Sequence, residues 1–170
     1  GMVAATTTSA VVIQYRARPH LGGSDEGVSA ESHQIRPASG ALSAAETGTP
    51  LIVPAWATKA VLRLDITTIT TPDGDDEVDW YIQTSYNRGT DWADVANVHV
   101  ATGENGSTEL HLLTIDRAQT NVGVVTESDG TLADDTRLNI PLGDRIRIRT
   151  AITGATAPTY AYNAEVLFLA

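Results

Sequence analysis

The stretch Arg145-Ile146-Arg147-Ile148-Arg149-Thr150-Ala151-Ile152 decides the reading of this chain. Isoleucine and arginine alternate with a period of two. That puts Ile146, Ile148 and Ile152 on one side of an extended strand and Arg145, Arg147 and Arg149 on the other. A helix would scatter both sets around its axis. Working outward, the same period recurs. Residues 60–69 place Leu62, Leu64 and Ile66 opposite Arg63 and Asp65. Val78, Trp80 and Ile82 repeat the pattern, and residues 92–100 and 109–115 read as further strands. The stretch from about Thr159 to Leu169 sets Tyr160, Tyr162, Val166 and Phe168 on one face. Leu51-Ile52-Val53 and Val122–Thr126 are short apolar runs, and Ala10–Arg16 is a candidate first strand.

Turn signals separate these runs. In Pro72-Asp73-Gly74-Asp75 proline presets φ and glycine tolerates positive φ. Asn87-Arg88-Gly89, Gly103-Glu104-Asn105-Gly106 and Ser128-Asp129-Gly130 punctuate the rest. Thr is roughly one residue in seven, and Lys59 is the only lysine. Branched β-carbons favour the pleated strand over the helix. The expected fold is all-β: an antiparallel, jelly-roll-like β-sandwich of about eight to ten strands. Short turns imply antiparallel pairing, while strand order does not follow from the sequence.

The chain has 170 residues, a formal net charge of −10 and no cysteine. That length suits one domain with a real core. The absence of cysteine excludes disulfides, thiolate metal sites and cysteine nucleophiles. The acidic balance argues against direct nucleic-acid binding, and no apolar run approaches a membrane span. Residues 1–50 hold three Arg against four acids, which leaves a balance of −9 in residues 51–170. Residues 17–50 carry little periodicity and read as a long arm. The expected organisation is an N-terminal strand and extended arm over 1–50, followed by a β-sandwich over 51–170. The first residues lack the basic and apolar regions of a signal peptide, and Gly1 before Met2 reads as a tag remnant.

Several constellations could carry chemistry. Ser85-Tyr86-Asn87-Arg88-Gly89-Thr90-Asp91-Trp92 resembles the Asp-box of sialidases, with Asn87 and Asp91 replacing the usual residues. Its logic is a tight hairpin: Ser85 and Asn87 bond the turn, Gly89 takes positive φ, and Trp92 packs beneath. Asp73, Asp75 and Glu77 offer calcium-type oxygens at alternating positions. The sixth and twelfth positions of such a loop hold Val78 and Thr84, which favours an acidic hairpin tip. The row Arg145, Arg147, Arg149 suits an interface or cross-strand pairing with acids such as Asp65 or Asp79. Trp56, Tyr81 and Tyr86 are candidate glycan contacts. His20, His33, His99 and His111 lack metal-ligand spacing, although His99 and His111 lie on separate strands that could meet. No serine sits in a nucleophile elbow. The expectation is a protein that is not an enzyme and has no cofactor. A pocket joining His99 or His111 to two carboxylates would favour an enzyme.

A longer pattern runs through the chain. Val53-Pro54-Ala55-Trp56 leads into Leu64-Asp65-Ile66-Thr67. Then come Ile82-Gln83-Thr84-Ser85, Gly89-Thr90-Asp91-Trp92-Ala93-Asp94-Val95, and Arg145-Ile146-Arg147-Ile148-Arg149-Thr150 followed by Ile152-Thr153-Gly154. Residues 51–170 thereby resemble small β-sandwich proteins from the structural gene clusters of tailed phages and prophages. Arg88-Gly89 stands where that pattern has a doubled glycine, and the stretch from Ile115 to Leu142 is a long insertion. The resemblance implies a head, neck, decoration or tail component that acts by self-assembly. It implies a homo-oligomer with other virion proteins as partners, located in the virion and in the host cytoplasm during assembly. An alternative is a carbohydrate-binding β-sandwich module.

Overall fold

The structure, a computed structural model, describes residues 13–15, 30–36, 40–70, 75–100, 109–120, 128–154 and 158–170. Nine strands appear in them: β1 (Ile13–Tyr15), β2 (Ala30–Arg36), β3 (Leu51–Ile52), β4 (Lys59–Thr70), β5 (Glu77–Ser85), β6 (Ala93–Val100), β7 (Glu109–Asp116), β8 (Arg145–Thr153) and β9 (Thr159–Leu169). One sheet has the order β1-β2-β9-β4-β7 and the other β3-β8-β5-β6, with antiparallel pairing throughout.

The pairs β2–β9, β3–β8, β4–β7 and β5–β6 are nested one inside the next. The chain is therefore one long hairpin wound over itself into two sheets, which is the jelly roll. The alternation seen in the sequence sets the facing. Leu62, Leu64 and Ile66 of β4 meet Trp80 and Ile82 of β5, Ile146 and Ile148 of β8, and Tyr160, Tyr162, Val166 and Phe168 of β9 in one core. Trp80 packs edge-on against Tyr160 and Tyr162, with centroids 5.6 and 6.1 Å away. Each such contact contributes about 0.5–1.5 kcal/mol beyond burial. A register shift between Ile66 and Thr68 returns Ile69 to the core.

The expected arm is corrected in its described part. Residues 30–36 form β2, paired to β9. Leu42 then bridges Tyr160 on β9, and Thr47 bridges Arg149 on β8. With Gly48 N–H on the Ile148 carbonyl (2.8 Å) and β3 beside β8, residues 30–36 belong to one sheet while residues 42–52 lead from β9 to β8 of the other. The sandwich thus begins by Ala30, not at 51. Periodicity was hidden because Ile35 is the one large apolar residue that β2 sends into the core, while His33 and Arg36 also pack inward. His33 lies against Phe168, and Arg36 sits 5.1 Å over the Tyr162 ring while pairing with Glu46 (2.8 Å). The rest of the expected arm, residues 17–29 and 37–39, and the expected strand over Val122–Thr126 lie outside the described residues.

Candidate functional site

The outer face of the β3-β8-β5-β6 sheet holds the arginine row together with Tyr81 and Ser85. Register brings Asp79, Tyr81, Gln83 and Ser85 of β5 beside Ala151, Arg149, Arg147 and Arg145 of β8. On the other flank, Asp94, Asn97 and His99 of β6 face Gln83, Tyr81 and Asp79. An outer sheet face is normally wet, yet Asp79, Tyr81, Gln83, Asp94 and Asn97 are all buried. The cover is the segment 128–138, inserted in the chain between β7 and β8, which runs along β6. The Asp94 N–H donates to the Ser128 carbonyl (2.8 Å), the Asn97 N–H to that of Thr136 (2.9 Å), and the Leu138 N–H to that of Val95 (2.8 Å).

Asp94 holds this cover down. Its carboxylate accepts the Gly130 N–H (3.0 Å), the Thr131 N–H (3.1 Å), the Leu132 N–H (3.2 Å) and the Gln83 side-chain amide (2.7 Å). The Gln83 amide also donates to Asp129 (2.8 Å), and its oxygen accepts from Arg147 (2.7 Å). Arg147 and Arg149 converge on the Asp129 Oδ1 at 3.2 and 2.9 Å. The partner acids expected for the arginine row, Asp65 and Asp79, are corrected to Asp129 for these two. Asp65 lies on the other sheet near Arg63 and Asn163. Asp79 stands opposite Ala151 and is engaged by Asn97 and His99. Arg145 donates to the Asp144 carbonyl (2.8 Å). Burial raises the Asp129 carboxyl, but the Gln83 and Arg149 hydrogen bonds and the two guanidinium charges outweigh it and hold it low. Burial lowers Arg147, aided by Arg149 and opposed by Asp129.

The Asp-box-like hairpin has the geometry its residue types require. Arg88 and Gly89 have φ of 62° and 87°, the two positive angles of a primed turn. The Ser85 hydroxyl accepts the Gly89 N–H (2.8 Å), and the Asn87 side-chain oxygen accepts the Asp91 N–H (2.8 Å). The buried Trp92 ring donates to the Gly89 carbonyl (3.1 Å), and the Arg147 guanidinium lies 4.0 Å over it. The hairpin thus supports the arginine row, a link invisible in the sequence.

Nearer the other end of β5, the His99 Nδ1 lies 2.9 Å from the Asp79 Oδ1 and 3.7 Å from the Asp134 Oδ1. The Asn97 side-chain amide donates to the Asp79 Oδ1 (3.0 Å) and the Leu132 carbonyl (3.1 Å). Burial opposes a charged His99, but the hydrogen bond to Asp79 and the charges of Asp79, Asp134 and Glu77 prevail and raise it. Burial, with the charges of Asp79, Asp94 and Asp134, pushes Tyr81 up to about 12. His99 thus meets two carboxylates, but the His99 and Asp79 side chains are only 11% and 10% exposed and none of the three lines the cavity at His111, so the pocket that would favour an enzyme is not what joins them. Sequence spacing could not reveal this juxtaposition because its members come from β5, β6 and the segment between β7 and β8. His111 does not join it. It lines a neighbouring cavity of about 310 Å³ between β6 and β7, with Leu62, Ile82, Leu113 and Arg137, whose wall also includes Asn97 and Asp135 from beside the cluster.

The other candidates are dispersed. Tyr81 is 7% exposed, which corrects its placement among glycan contacts. Trp56 (39%) and Tyr86 (45%) are exposed on loops at one end of the sandwich. These loops are joined through Asp144, whose N–H donates to the Ser85 carbonyl (2.7 Å) and whose carbonyl accepts the Val53 N–H (3.0 Å). Of the calcium candidates, Asp75 is exposed and Glu77 half-buried, while Asp73 lies outside the described residues. A scan against protein-family models and a search of curated proteins both find no match for this chain.

Proposed function

We propose that this chain is a non-enzymatic structural subunit of a phage-like particle, a head, neck, decoration or tail component that acts by self-assembly. The observation that carries this reading is the apolar character of its sheet edges. Leu110 and Leu112 of β7, the edge of the five-stranded sheet, are 56% and 69% exposed, and Ile52 of the edge strand β3 is 67% exposed. An edge strand presents unpaired backbone groups, and natural monomers blunt such edges with charge. Apolar edges fit strand-to-strand contact with further copies and with other particle proteins. The jelly-roll topology and the resemblance of residues 51–170 to phage structural proteins support the same reading, the topology by analogy only.

Light scattering on the purified chain tests it. The expected result is a defined oligomer that Leu112→Lys dissociates while the fold, read by circular dichroism, is retained. Removal of residues 1–29 probes the N-terminal segment: it deletes the edge strand β1 and leaves β2 in place. A monomer at high micromolar concentration, unchanged by either alteration, overturns the proposal.

A second reading, carbohydrate binding, rests on Trp56 and Tyr86 exposed at the same end of the sandwich. It expects oligosaccharide binding by calorimetry that Trp56→Ala abolishes. A silent glycan array removes it.

A further inference from the structure

The cluster of Asp79, His99 and Asp134 has the chemistry of a cation site. Each residue offers one ligand atom, and the three atoms lie within 4.8 Å of one another. An imidazole nitrogen and two carboxylate oxygens form a mixed donor set suited to a first-row divalent ion such as zinc. Around a tetrahedral ion, metal–ligand bonds of about 2.0–2.2 Å place neighbouring ligand atoms about 3.3–3.6 Å apart. The His99 Nδ1 and the Asp134 Oδ1, at 3.7 Å, are close to that spacing, and the Asp134 side chain, 66% exposed, has room to adjust. The His99 Nδ1 and the Asp79 Oδ1, at 2.9 Å, are in direct hydrogen-bond contact and would part slightly to admit the ion.

The site is built rather than a chance meeting of surface charges. Asp79 and His99 stand directly opposite on β5 and β6, with side chains only 10% and 11% exposed. The Asn97 amide fixes the Asp79 carboxylate by donating to its Oδ1, which keeps a second lone-pair direction for an ion. The Oδ1 of that same Asn97, in a residue 2% exposed, is buried with no hydrogen-bond partner. A buried amide oxygen in that state is an unmet acceptor beside the cluster. Asp135 adds negative charge by accepting the His99 backbone N–H (3.2 Å), and Glu77 acts on the imidazole from β5.

We infer that Asp79, His99 and Asp134 bind a divalent transition-metal ion that ties the inserted segment 128–138 to the sheet. His99 coordinates through Nδ1, so any proton there leaves to solvent as the ion binds. The inference does not depend on the assembly reading, since the ion would act within one chain.

Cobalt(II) and zinc(II) are the probes, added to the metal-free full chain at neutral pH. Zinc is expected to raise the thermal midpoint by about 5–10 °C when free ion stands a hundredfold above its Kd. Cobalt is expected to give visible d–d absorption that zinc displaces. His99→Gln should abolish both signals. Asp134→Ala, on the exposed covering turn and thus compatible with folding, should weaken binding about tenfold or more. His111→Gln, outside the three-residue ligand group, should leave both intact. No midpoint shift and no cobalt spectrum with the wild-type chain overturns the inference. Signals that persist in both His99→Gln and Asp134→Ala overturn it equally.

Discussion

Replacing Asp94 by alanine tests the central energetic claim, that one buried carboxylate holds the inserted segment on the sheet. The side chain is fully buried and accepts from Gln83, Gly130, Thr131 and Leu132. A hydrogen bond to a charged group contributes about 1.5–3 kcal/mol, so four in isolation would sum to about 6–12 kcal/mol. That total is not reached. Once the carboxylate is gone, the segment lifts and its three N–H groups regain water. The loss is therefore limited to the free energy of docking the segment, together with the exposure of Gln83 and its neighbours. We expect Asp94→Ala to lower unfolding stability by about 3–4 kcal/mol, and Asp94→Asn, which keeps one oxygen acceptor, by about half that. Urea denaturation gives the total. Hydrogen exchange gives the location: the amides of Gly130, Thr131 and Leu132 should exchange much faster, while those of β4 and β9 follow only the global change. A loss below about 1 kcal/mol with unchanged exchange at these three amides would refute the reasoning, because the segment would then be held by something else.

Three further outcomes are expected. A Cβ on Gly143 would stand 2.0 Å from the Ser85 carbonyl oxygen, whereas one on Gly40 meets nothing within 4 Å. Gly143→Ala should therefore cost more than about 3 kcal/mol in thermal unfolding and Gly40→Ala little. Burial raises the Glu46 carboxyl, but the hydrogen bonds from Arg36 and Tyr162 outweigh it, so it lies below 4.5 in the folded chain. Its stabilisation is present above about pH 4.5 and fades as pH falls through the lower folded value. Denaturation midpoints of Glu46→Gln should thus depend less on acid pH than those of the wild type. The Tyr160 hydroxyl meets the Thr150 hydroxyl (2.6 Å) and donates to the Ala44 carbonyl (2.8 Å), so Tyr160→Phe should cost about 1–2 kcal/mol by calorimetry.

How much was legible depended on which face of a strand was apolar. β4, β5, β8 and β9 were readable because their inward residues are Leu, Ile, Trp, Tyr, Val and Phe alternating with polar ones. β2 was not, because His33 and Arg36 occupy inward places that the sequence shows only as polar. Tyr81 and Asp79 looked like surface residues for a related reason. They do face away from the core, and only the inserted segment, far along the chain, buries them. The turn within the hairpin at 85–92 was legible because the bonds that shape it are local, spanning at most four residues, whereas its ties to Pro141, Asp144 and Arg147 were not.

The sequence by itself determined the all-β class, the positions of most strands (β2 excepted) and the facing of most side chains, because a period of two and turn chemistry act between neighbours. The nesting of β2 with β9 and β3 with β8, the crossing of residues 42–52 between sheets, and the choice of Asp129 for Arg147 and Arg149 were decided only by tertiary structure. So was the meeting of Asp79, His99 and Asp134. These join residues many positions apart, and their pairing follows from how two sheets and one inserted segment close around a shared core.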